Sequence, residues 1–94
     1  MTGQGAPSAH SIAGLLRAAG FAGARGDGTG FACMRIVQGR TTYVAVYHDS
    51  ALGAQPRRDE EIAITARYAD ALRVRGCIVE HITSAIPQVR VIKR

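Results

Sequence analysis

The chain has no tryptophan, and its aromatic content is three tyrosines and two phenylalanines, 5% of the residues. Most of these fall in core-like contexts, which disfavours single-strand binding by base stacking. There are two cysteines, Cys33 and Cys77, each in an apolar, strand-like setting. Two reduced, buried thiols are the expectation, with a disulfide between them as the alternative. No apolar run approaches about 18 residues, and no N-terminal segment joins a basic start to a long apolar core. Neither membrane spanning nor secretion is therefore expected, and cytoplasm is the expected location. Lysine is nearly absent: Lys93 is the one lysine among 12 basic residues, which stand against 7 acidic ones.

What is present describes a folded domain. A chain of 94 residues, 47% hydrophobic and 20% charged, suits one core and no second one. A formal net charge of +5 and a pI of about 10.0 should attract polyanions, with nucleic acid foremost, although modest charge also serves solubility. Arginine suits bidentate recognition of phosphate. The excess of Arg, Ala and Gly is also what GC-rich coding produces, and in that style the chain resembles small proteins of GC-rich bacteria and their phages or plasmids.

The strongest local signal runs from Arg57 to Ile82. Asp59, Glu60 and Glu61 suit the positive end of a helix, Arg73 and Arg75 its negative end, and Gly76 its termination. At 100° per residue, Ile62, Thr65, Tyr68, Ala69 and Leu72 share one face, with Ala63, Arg67, Asp70 and Val74 opposite. Pro56 suits the helix start, and Cys77 to Ile82 reads as a strand.

Residues 1–7 read as a flexible tail and 8–94 as one domain. Ser8 can cap a helix carrying Ile12, Leu15, Leu16 and Ala19 on one stripe before Gly20. A short strand is expected at Phe21 to Arg25, with a hairpin turn over Gly26-Asp27-Gly28-Thr29-Gly30. Strands Phe31 to Val37 and Thr41 to His48 should pair across Gln38-Gly39-Arg40, the second apolar on both faces and so central. A last strand is expected at Gln88 to Ile92. Leu16-Arg17-Ala18-Ala19-Gly20-Phe21 and Leu72-Arg73-Val74-Arg75-Gly76-Cys77 share the pattern Leu-Arg-x-x-Gly-apolar. Either a common helix-ending signal or a duplication would produce it. The expected class is α+β: a single small domain in the order α-β-β-β-α-β-β, with an antiparallel sheet and two helices on one face.

Catalytic and metal chemistry find little support. Cys77 and His81 on a strand lie about 13 Å apart, too far to share an ion, and a site gathering Cys33, His48, Cys77 and His81 across strands is not expected. His48-Asp49-Ser50 has the letters of a hydrolase triad, but neighbours at a strand end diverge. The Gly26 to Gly30 run lacks the Gly-Lys-Ser/Thr ending of a phosphate loop. His10 should be solvated. No enzyme activity and no cofactor are expected.

The order α-β-β-β-α over Ser8 to Arg75 resembles the double-stranded RNA-binding domain in order alone. Where that family opens its second helix with a lysine-rich motif, this chain has Arg57-Arg58-Asp59-Glu60-Glu61; where it has a Pro-x-His loop, this chain has Gly26 to Gly30. The strands after Gly76 also depart from it, and no binding residues carry over. The expected function is a small non-enzymatic basic module that binds nucleic acid through arginine contacts to phosphate. Arg73, Arg75, Arg90, Lys93 and Arg94 form the cleaner patch, with Arg57 and Arg58 at the other end of the helix. The alternative is a protein-interaction module, a homodimer, inhibitor or adaptor, using an apolar sheet face or edge.

Overall fold

A computed structural model describes residues 7–24, 30–49 and 58–94. Its elements are α1 (Ala9–Ala18), β1 (Gly30–Gln38), β2 (Thr41–Asp49), α2 (Arg58–Val74), β3 (Ile78–Ile82) and β4 (Gln88–Lys93). The strands make one antiparallel sheet in the order β1-β2-β4-β3. Both helices pack on the same face of it.

Each helix begins and ends for a local reason. The Ser8 hydroxyl accepts the Ser11 N–H at 3.0 Å and closes the start of α1. At its end, Gly20 takes φ +97° while its N–H bonds the Arg17 carbonyl and the Phe21 N–H bonds the Leu16 carbonyl. The end of α2 repeats this arrangement. Gly76 takes φ +90°, its N–H bonds the Arg73 carbonyl, and the Cys77 N–H bonds the Leu72 carbonyl. Both are Schellman motifs, in which a left-handed glycine lets its own amide and the next one satisfy the last carbonyls. The shared Leu-Arg-x-x-Gly-apolar pattern is therefore a shared capping signal. It also introduces two αββ units, whose inner strands β2 and β4 meet antiparallel at the centre of the sheet.

Of the strand expected at Phe21 to Arg25, Arg25 lies outside the described residues and Phe21 to Ala24 do not form a strand. The Phe21 N–H is used in closing α1, and the next residues make a single parallel bridge between Gly23 and Phe31, with the Phe31 N–H on the Ala22 carbonyl and the Ala24 N–H on the Phe31 carbonyl. A tight hairpin requires antiparallel neighbours, so the expected first hairpin is replaced by this bridge. The expected turn at 26–30 lies outside the described residues except for Gly30. The order is thus α-β-β-α-β-β, and the likeness in order to the double-stranded RNA-binding domain goes with the lost strand. Of the expected tail, residues 1–6 lie outside the described residues, and Pro7 is buried.

The core lies between the helices and one sheet face. Val44 and Val46 of β2, Val89 and Val91 of β4, and Phe31 of β1 pack under Ile12 and Leu16 of α1 and Tyr68, Ala69 and Leu72 of α2. The expected faces of α2 are the observed ones: Thr65, Tyr68, Ala69 and Leu72 are buried, Ile62 is half-buried, and Ala63, Arg67, Asp70 and Val74 are exposed. Tyr68 is the hub. Phe21 meets its ring edge-on at 4.9 Å, Phe31 lies at 6.2 Å, and the His48 Nδ1 is 2.8 Å from its hydroxyl. Thr65 is the one fully enclosed polar side chain of this core among the described residues. Its hydroxyl donates to the Glu61 carbonyl at 2.8 Å, which leaves the oxygen to accept from His81 Nε2–H, also at 2.8 Å.

Candidate functional site

The end of the molecule where α2 stops gathers four exposed cations. Arg73 lies in the last turn of α2 and pairs with Asp70 at 3.4 Å, and Arg75 donates to the Ala71 carbonyl at 3.2 Å. Cations are favoured there by the negative end of the helix dipole. Lys93 is paired in register with Ile78, two residues beyond Gly76. Arg94 donates to the Ser11 hydroxyl of α1, and its charge is felt at the Cys77 thiol. The ends of α2 and β4 thus bring four exposed cations to the end of the molecule that holds Cys77, and Arg94 among them also reaches the first turn of α1, which carries no acidic residue. Burial pushes the Cys77 thiol up, an effect the Arg94 charge partly offsets.

The remaining candidates are placed elsewhere. Arg57 lies outside the described residues. Arg58 donates through Nη2 to the carbonyls of Thr83 and Ser84, so it ties the start of α2 to the loop between β3 and β4. Arg90 is separated from the other four by the sheet itself. It lies on the face away from the helices, its guanidinium 5.2 Å from the centre of the Tyr43 ring. Strand alternation explains this, because Val89 and Val91 on either side of it face the core. Arg40, which flanks the turn between β1 and β2, comes to the same end as Arg94. The register that pairs Val44 with Val91 puts the turn before β2 and the finish of β4 at the same end of the sheet.

The residues considered for metal or catalytic chemistry are engaged separately. His48 meets Tyr68 and His81 meets Thr65, while Ser50 lies outside the described residues. Among the described residues, no three His, Cys, Asp or Glu side chains converge on a common point. Cys33 and Cys77 are both free thiols. Cys33 opens on a groove of about 380 Å³ between α1 and β1, lined also by His10, Arg17 and Asp49. Burial raises its thiol to about 11, only partly countered by Arg17, so at neutral pH it is a protonated, weak nucleophile. His10 is exposed, as expected. Among the described residues, no helix is long and apolar enough to cross a membrane.

Comparison with known protein families, curated proteins and solved structures found no match to this chain.

Proposed function

We propose that this chain is a non-enzymatic binding module that holds nucleic acid by contacts from Arg73, Arg75, Lys93 and Arg94 to phosphate. The observation that supports this reading is that four exposed cations stand at one end of the fold, Arg73 and Arg75 where α2 stops and Lys93 and Arg94 where β4 finishes beside Ile78 and Ser11, with an ion pair only at Arg73 among the described residues. Guanidinium groups already oriented by the Ala71 carbonyl and the Ser11 hydroxyl lose less freedom on meeting a phosphate than free ones would. Recognition of this kind positions the protein on the backbone and does not read bases.

Anisotropy of labelled duplex DNA and duplex RNA over a salt series tests the reading. Three to four phosphate contacts give a log–log salt slope of roughly −3 to −4. The double substitution Arg75→Ala with Arg94→Ala should flatten that slope by about 2, whereas Arg67→Ala, an exposed cation stacked on Phe21 away from this end, should change it little. Absence of binding at low salt, or equal losses in the two variants, would overturn the proposal.

A further inference from the structure

The helix-free face of the sheet carries, side by side, a donor and an acceptor of opposite charge that are both unpaired among the described residues. Arg90 of β4 is paired in register with Ala45 on one side and with Glu80 of β3 on the other. Its Nε is buried and has no hydrogen-bond partner among the described residues. A buried guanidinium donor left without an acceptor is costly, and strands rarely keep one. Glu80 is exposed and has no ion pair among the described residues. Around this pair the face is apolar: Met34 is 55% and Ile92 36% exposed, and Tyr43 and Ala45 form its floor.

We propose that a second copy of this chain docks on this face, with Arg90 of each copy meeting Glu80 of the other. The face is complementary to itself. In a two-fold interface, residue i contacts j and j contacts i, so one Arg–Glu couple per chain supplies two ion pairs. Charge disfavours the other large partner this basic protein would attract, because Glu80 cancels the Arg90 charge and the rest of the patch is apolar. Size fits as well. Four strands about 4.8 Å apart make a face on the order of 500 Å² in plan, which the side chains standing on it enlarge toward the roughly 800 Å² of accessible surface that a standard interface takes from each partner.

Sedimentation equilibrium on the full chain tests this. The wild type should be dimeric at micromolar concentrations. Glu80→Arg and Arg90→Glu, each alone, set like charges against each other and should weaken the dimer at least tenfold. Mixing the two variants should restore a dimer containing one of each, because every cross-interface couple is then of opposite sign. That recovery cannot come from a contact within one chain. Met34→Lys, on the edge strand, should also weaken the dimer, and it carries the test should Arg90→Glu fail to fold by circular dichroism. The proposal is overturned by a wild type that stays monomeric to about 100 µM, by a dimer indifferent to these substitutions, or by a mixture that does not reassociate. A monomer that instead binds single-stranded oligonucleotide, and loses it on Tyr47→Ala, overturns it equally.

Discussion

Tyr68 is the residue on which the interior is most dependent, since one side chain joins the end of α1, the start of β1 and the end of β2. Its hydroxyl is pushed up from 10.0 to about 12, chiefly by burial, with Arg67 lowering it and Cys33 and Asp49 raising it. The Cys33 thiol moves the same way, from 9.0 to about 11. Both groups hold their proton more tightly folded than unfolded. Below about pH 9 each is protonated in both states, and stability does not depend on them. As pH rises from 9 to 12 the unfolded chain releases these protons first, so stability should fall with rising pH and level off above the folded values. The Cys77 thiol, also pushed up by burial, adds to the same fall, and the chain has a single lysine to confuse that titration. Urea midpoints taken from pH 8 to 11.5 should therefore decline. Tyr68→Phe should start about 1 kcal/mol lower at neutral pH for want of the His48 contact, and then decline less steeply. A midpoint that is flat to pH 11 would show that neither group is sealed from water.

At the scale of elements, the glycines separate two kinds of constraint. Gly76 needs only a left-handed backbone, because a Cβ there would meet nothing within 4 Å. Gly76→Ala should cost about 1 to 2 kcal/mol, the penalty for forcing an L-residue into that region. Gly30 has φ +141°, and a Cβ would lie 2.4 Å from the Ala22 carbonyl oxygen. Gly30→Ala should be clearly the more damaging, since the clash is with backbone and can be relieved only by breaking the Gly23–Phe31 bridge. Equal melting temperatures for the two variants would refute that distinction. This contrast also marks what was legible in the sequence. The ends of both helices, the buried stripe of α2 and the central place of β2 follow from capping residues and period. The strand expected at Phe21 to Arg25 had the right composition, but its hydrogen bonds were claimed by the Schellman closure before it. The division of the basic candidates was hidden for another reason. Period 2 tells which residues of β4 share a face, but only the pairing of β4 with β2 and β3 puts Arg90 over Tyr43 and beside Glu80. Nothing local to Arg58, likewise, reveals the Thr83 and Ser84 carbonyls that the fold brings to its guanidinium.

The whole molecule is two αββ units by topology and one unit by packing. Each unit has its own helix and hairpin, but α2 also packs on β2 and on α1 of the other unit. Tyr68 and Leu72 of the second unit lie against Phe31, Val44 and Val46 of the first, and Arg94 at the end of the second reaches Ser11 of the first. The sheet is also joined through its middle, where Val44 pairs with Val91 and Val46 with Val89. A separated unit would expose the inner edge of its central strand and the apolar stripe of its helix together, and a two-stranded hairpin with one helix buries too little to stand alone. Fragments 1–56 and 57–94 should each be unfolded by circular dichroism, and equimolar mixing should restore the helical signal only where the two halves recombine. The intact chain should unfold in urea in a single transition with coincident tyrosine and far-ultraviolet signals. A fragment that folded by itself would mean that each αββ unit has a sufficient core of its own, and Tyr68 would then lose its place as the hub shared by both.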